Sequence, residues 1–300
     1  MNKKGFILIY ILGISLAFAS LLLFLNFRTE KYLESFKKKY DEIEIERIFD
    51  IGFEVAKKIL ENDKNNFDWI GENWAKERIF KIGNYQIRIV ITDENSKINL
   101  NKILEEKGKT NETLLEIFKN LIVVLGYPFS LVDCFLDWID EDNLPRPFGA
   151  ESSYYHSIGF KFAPPNRNLL SLRELSFIKG FEKDILEGTE EKKGILNFIT
   201  IYSDDKININ TCKGEIINAM GFTKNQVDRI LAERDYRPLN ERFLIEINRE
   251  AFLKYRNLIK YKSNYFKVSI FLKKNGEDER EKEGIFKKDK NIELIRKGIL

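Results

Sequence analysis

Met1-Asn2-Lys3-Lys4-Gly5-Phe6-Ile7-Leu8-Ile9-Tyr10 opens the chain, and the apolar run that begins at Phe6 continues unbroken to Leu25 before Asn26, Phe27 and Arg28. About twenty apolar or small residues rise about 30 Å as a helix, which matches the hydrocarbon thickness of a bilayer. A secretory signal peptide is normally shorter and ends in a small-residue cleavage site on the far side. Lys3 and Lys4 precede the run and hold the N-terminus on the cytoplasmic side by the positive-inside rule. Residues 30–300 are therefore expected outside the cytoplasm, whether the segment is a plain anchor, a cleaved signal or a trimmed leader.

Working outward, a chain of 300 residues with 43% hydrophobic content can bury a core in more than one unit. The net charge of +3 falls to +1 if Lys3 and Lys4 leave with a leader, which argues against a general polyanion binder. From Thr29 to Glu61 there is no proline, and Ile45, Ile48, Phe49, Val55, Ile59 and Leu60 fall at helical spacing among charged residues. This predicts one long helix that leaves the membrane and lays an apolar stripe on a globular body, ending at Asn62-Asp63-Lys64-Asn65-Asn66. Tyr85 to Thr92 and Tyr265 to Leu272 alternate as strands, and Leu114–Leu125 and Leu131–Ile139 are periodic helices broken at Gly126-Tyr127-Pro128. Residues 275–300 stay open between a final strand, a helix and a mobile tail.

The chain repeats itself. Lys97-Ile98-Asn99-Leu100-Asn101 returns as Lys206-Ile207-Asn208-Ile209-Asn210, and Gly126-Tyr127 with Val132-Asp133 and Leu136 returns as Gly221-Phe222 with Val227-Asp228 and Leu231. Each copy reads as an extended entry, a helix, a glycine turn and a second helix. The second copy resembles a helix-hairpin-helix, which binds DNA in some proteins and only packs in others. Its single hairpin glycine and the mixed charges of Lys224, Asp228, Arg229, Glu233 and Arg234 favour packing, since phosphate binding needs an excess of cations.

Between the copies lies the densest polar stretch, Asp137-Trp138-Ile139-Asp140-Glu141-Asp142-Asn143-Leu144-Pro145-Arg146-Pro147-Phe148-Gly149-Ala150-Glu151. Carboxylates crowded on an irregular loop repel unless water or a cation separates them. Calcium accepts six to eight oxygens in flexible geometry and suits such a loop, although the register is not that of an EF-hand. A solvated acidic loop is the competing reading. General acid–base work by Asp140 and Asp142 lacks a partner nucleophile, and the single His156 leaves neither a zinc cluster nor a histidine-based triad. No P-loop, GxGxxG or GxSxG motif is present. Cys134 and Cys212 either pair or stay as two buried thiols, because sequence gives no distance.

Taken in order, these segments resemble the K class of minor pseudopilins of the type II secretion system. The Lys4-Gly5-Phe6 junction is similar to the leader that a prepilin peptidase cuts between Gly5 and Phe6, leaving the helix attached. Thr92-Asp93-Glu94-Asn95 before Ile98-Asn99-Leu100-Asn101, the Asp137–Asp142 block with Gly149-Ala150-Glu151 and Tyr154-Tyr155, then Leu172-Arg173-Glu174-Leu175 and Lys179-Gly180, complete the series. Tyr10 stands fifth after the cut, where most pilin-like chains carry a glutamate that the K class lacks.

The resemblance implies an α+β fold: a pilin-like long N-terminal transmembrane helix packed on an antiparallel sheet, with a large inserted α-helical domain of SAM-like or helix-hairpin-helix-like shape. The expected parts are a leader at 1–5, a membrane helix at 6–25, the pilin-like helix and first strands at 26–102, and an inserted helical domain at 103–200. A second helical repeat at 201–262 and C-terminal strands with a charged tail at 263–300 follow. It also implies structural calcium on Asp137, Asp140, Asp142 and Glu151. The expected partners are I- and J-class minor pseudopilins, the prepilin peptidase and inner-membrane lipid, with no nucleic acid. The implied role is non-enzymatic: a single-pass inner-membrane protein with its bulk in the periplasm, which initiates and caps a pseudopilus for protein export and is methylated at its new N-terminus. An anchored helix-hairpin-helix DNA-binding protein of a competence system is the alternative, and a calcium-dependent surface enzyme a more distant one.

Overall fold

The computed structural model describes residues 3–104, 109–161, 163–274 and 278–298, with the side chains of residues 3–6 left undescribed. The helix α1 spans Lys3–Asn62 and contributes to two compact units, residues 1–51 and 52–300. In the first unit, the side chains from Ile7 to Leu25 all stand exposed on a helix long and apolar enough to cross a membrane. At the end of the apolar run Arg28 lies 5.8 Å above the Phe24 ring and Lys31 4.7 Å above Phe27. Such cation–aromatic pairs suit the headgroup level, where an apolar stem and a charged tip are both satisfied.

The second unit is built on a sheet. Its strands are β1 (Arg78–Ile82), β2 (Tyr85–Asp93), β7 (Tyr265–Lys274), β8 (Arg280–Lys288) and β9 (Ile292–Gly298). Among the described residues these form one antiparallel sheet in the order β1-β2-β7-β8-β9. Tyr85, Ile87, Ile89 and Ile91 alternate onto its buried face, and the register sets Ile87 beside Leu272, Ile89 beside Ile270 and Ile91 beside Val268. The last turns of α1 cover that face with Phe53, Ala56 and Leu60; of the predicted stripe Ile45, Ile48, Phe49 and Leu60 are buried, while Val55 and Ile59 are only half-buried and Phe53 and Ala56 take the inner positions. Gly52 permits the close approach: a Cβ there would meet Ile270 Cδ1 at 2.8 Å. Phe53 and Phe286 close the layer with ring centroids 6.2 Å apart. Of the three readings of the C-terminal stretch, residues 280–298 take the strand form. Residues 275–277, 299 and 300 lie outside the described residues.

Strands β2 and β7 are neighbours although Asp93 and Tyr265 are far apart in the chain, and everything between is a helical insertion. It opens at Glu94, ahead of the position 103 expected, and both repeats lie inside it. The first copy runs through β3 (Ile98–Asn99), α2 (Glu112–Val124), α3 (Ser130–Ile139), α4 (Ser152–Ser157), α5 (Lys183–Glu187) and β4 (Ile199–Thr200). The second runs through β5 (Ile207–Asn208), α6 (Gly214–Ala219), α7 (Lys224–Tyr236), α8 (Glu241–Tyr255) and β6 (Ile259–Lys260). Each copy opens on a short strand and closes on a parallel partner, β3 with β4 and β5 with β6. Gly126 and Gly221, at φ +70° and +85°, make the equivalent turns that a side-chain-bearing residue resists.

The repeated asparagines do equivalent work. Asn99 and Asn208 accept from the N–H two residues on, which turns the chain out of the strand. Asn101 and Asn210 accept from the backbone N–H of Leu169 and Leu239, pinning a distant loop in each copy. In α8, Asn248 leaves helical geometry and caps the Ala251 N–H, which explains a kink there.

One buried carboxylate ties the insertion to the sheet. Asp93, 3% exposed at the end of β2, accepts from Asn95 N (2.7 Å), Asn208 Nδ2 (3.1 Å), Thr211 Oγ1 (2.5 Å) and Ser263 Oγ (2.5 Å). It thereby joins the strand before the insertion, the start of the second copy and Ser263, two residues before β7. Burial without a contacting cation pushes its carboxyl up to about 6, against the pull of these donors.

Candidate functional site

The site is the loop between α3 and α4. Helix α3 stops at Ile139 because Asp140 turns extended, with its N–H still bonded to Leu136. Asp142 accepts from Leu144 N at 2.7 Å, and Asn166 Nδ2 donates to the Asp142 carbonyl at 2.8 Å, so the acidic end is shaped and held from outside. On the return, the Arg146 N–H donates to Asp137 Oδ2 at 3.1 Å and the Phe148 N–H to Asp133 Oδ2 at 3.2 Å. Lys179 Nζ donates to the Phe148 and Gly149 carbonyls at 3.3 and 3.2 Å and lies 4.8 Å from the Tyr154 ring centroid. Gly149 is obligatory: a Cβ there would stand 1.8 Å from Asp137 Oδ2. Tyr155 is edge-on to both Tyr154 and Trp138, with ring centroids 5.3 and 5.4 Å away.

The four predicted ligands separate into two kinds. Asp140, Asp142 and Glu151 offer carboxylate oxygens within 4.8 Å of one another. Asp137 does not join them. Completely buried, it gives its oxygens to the backbone N–H of Arg146 and to the Arg146 guanidinium, with Nη1 at 2.7 Å. The same Nη1 also pairs with Asp140 Oδ2. What remains is a set of orphans: Asp140 Oδ1 and both oxygens of Glu151 are buried with no hydrogen-bond partner among the described residues, and Glu151 is 1% exposed. Burial, reinforced by Asp137, Asp140 and Asp142, pushes the Glu151 carboxyl up to about 7, and burial raises Asp140 despite Arg146. Acidic oxygens turned inward without donors are what a hard, oxygen-seeking cation satisfies, so these residues fit calcium.

A second acidic group among the described residues does not fit. Asp63, Asp68 and Glu72 lie equally close, but Lys288 Nζ pairs with Asp63 and lies 3.5 Å from Asp68. Ser263 N donates to Asp68, and Trp69 N and Trp74 Nε1 donate to Glu72. Every carboxylate in that group is already served.

The other singled-out residues are placed plainly. Gly5 and Phe6 belong to the first turns of α1, Tyr10 is 66% exposed there, and Met1 and Asn2 lie outside the described residues. Cys134 and Cys212 are two buried free thiols, each raised by burial, to about 11 and about 12. In the second hairpin the Thr223 N–H donates to Gln226 Oε1, and Arg234 is withdrawn onto the Ile209 and Cys212 carbonyls. Helix α7 then shows Lys224 and Arg229 against Asp228 and Glu233. Sequence reasoning missed the pairing of Arg146 with Asp137, for which the Pro-Arg-Pro setting was the one available hint.

A membrane-length helix leading into an antiparallel sheet, with a two-copy helical insertion and a carboxylate pocket, defines a pilin-like α+β protein with an enlarged head. The fold matches a chain from the crystal structure of the GspK-GspI-GspJ complex of the enterotoxigenic Escherichia coli type 2 secretion system, with a TM-score of 0.66 at 18% identity. The match covers 88% of this chain and 99% of that one. Residues 96–190 match the family described as Type II secretion system (T2SS), protein K. Curated relatives agree. The chain is 25% identical over 61% of its length to type II secretion system protein K of Pectobacterium carotovorum subsp. carotovorum, and 23% identical over 80% of its length to that of Aeromonas hydrophila. It spans 57% and 79% of those two relatives. The family model and the curated relatives carry the same description as the resemblance read from the sequence, and the fold it implied is shown.

Proposed function

We propose that this protein is a minor pseudopilin of a bacterial type II secretion system, held in the inner membrane by residues 6–25 with its head in the periplasm. It associates there with I- and J-class minor pseudopilins, starts the pseudopilus and caps it. The observation that carries this reading is the fold likeness to a chain solved within such a three-part complex, spanning nearly all of that chain. A prepilin peptidase removes residues 1–5, and the new N-terminus at Phe6 is methylated. Tyr10 supports a tip position: a buried glutamate at that depth would cost about 2.5–3.5 kcal/mol on insertion scales and is kept only for a partner ahead of it. The role is assembly, without catalysis.

Calcium is the proposed structural ion of the head. Asp140, Asp142 and Glu151 would hold it, and bound there it would supply the positive charge that their inward oxygens lack. Asp137 positions the loop instead, through Arg146. Co-expression of the full chain with I- and J-class pseudopilins, followed by detergent extraction and size exclusion, tests the reading. A three-part complex is expected, and elution of this chain alone would contradict it.

A further inference from the structure

We infer that Arg146 is a resident counter-cation of the acidic loop, which lowers the site's affinity for calcium and keeps the loop folded before calcium arrives; this rests on the calcium reading above. One guanidinium reaches both Asp137 and Asp140, while the Arg146 backbone N–H separately holds Asp137. The side chain thus does something the backbone bond does not. It brings a positive charge into a cluster where Asp137, Asp140, Asp142 and Glu151 otherwise stand with no ion pair to another cation among the described residues.

Two consequences follow from charge alone. A fixed positive group beside a divalent ion repels it, and fewer net ligand charges mean weaker calcium binding. It also engages one oxygen of Asp140 and one of Asp137, leaving a smaller ligand set. In the absence of calcium the same group offsets carboxylate repulsion, so the loop need not unfold while the chain is inserted and its head is folding. Pro145 and Pro147 flank Arg146 and fix the backbone, so the guanidinium is presented with little ordering cost.

The test is calorimetric titration of calcium into the detergent-solubilised full chain, as wild type, Arg146→Gln and Arg146→Lys, with melting temperatures in chelator and in calcium. Arg146→Gln keeps a donor for Asp137 and removes the charge. It is expected to bind calcium at least tenfold more tightly than wild type, to melt lower in chelator and to gain more on calcium addition. Arg146→Lys keeps the charge and is expected to stay within about threefold of wild type, since charge governs the effect. Equal or weaker binding by Arg146→Gln, with wild type binding normally, would overturn the inference. Failure of wild type itself to bind calcium would instead sink the calcium reading on which it rests.

Discussion

Replacing Asp93 with alanine is expected to destabilise the head by about 3–5 kcal/mol, because the Ser263 and Thr211 hydroxyls and the Asn95 N–H lose their best acceptor at ~1–3 kcal/mol each. Asn208, Thr211 and Ser263 all turn toward this one carboxylate from different parts of the chain. The cost falls on the join between insertion and sheet, so the helical domain is expected to lose its cooperative unfolding with the sheet. Asp93→Asn retains an acceptor and should cost far less, about 1 kcal/mol, in line with an exchanged buried hydrogen bond. The pair also gives a pH test. The folded carboxyl sits up at about 6, above the ordinary carboxylate value, so the folded state binds the proton more tightly than the unfolded one. Its penalty is absent below the ordinary value, grows as pH rises through about 6 and is complete above it. Wild type should therefore gain stability relative to Asp93→Asn when urea unfolding moves from pH 7.5 to pH 5. An unchanged difference between the two proteins would count against this account of the join.

Glu151→Gln is expected to abolish calcium stabilisation of the head. At calcium about a hundredfold above the dissociation constant, wild type should gain about 2.7 kcal/mol. For a unit of this size that is a rise of roughly 5–10 °C in melting temperature. The variant should gain none of it. In chelator the order reverses: glutamine buries a neutral amide where wild type holds a carboxylate with both oxygens unpartnered, so the variant should melt at or above wild type. Scanning calorimetry of both proteins with calcium and with chelator reads both signs at once. A variant that melts lower in both conditions would mean that Glu151 serves packing only.

The elements were legible where their signals are local. Alternation from Tyr85 to Thr92 and from Tyr265 to Leu272 marked the central strands, and Gly126 and Gly221 marked the turns of both copies. The loop from Asp137 to Glu151 was recognisable as a candidate site from charge density alone. What stayed hidden depends on distance through space. That Asp137 belongs to Arg146 and not to the other acids follows from how the loop folds back over Gly149, which the sequence lists as separate residues. The role of Asp93 was hidden for the same reason, since its partners Asn208, Thr211 and Ser263 lie in other segments. Cys134 and Cys212 could not be separated or joined without coordinates. The asparagines of the repeat were visible as a pattern, but their job of pinning Leu169 and Leu239 was not.

The most direct measurement of the central claim is N-terminal sequencing of the protein extracted from its native membrane. A start at Phe6 is predicted, with the apolar segment from Phe6 to Leu25 retained as the anchor. An intact Met1, or a first residue beyond position 25, would contradict it.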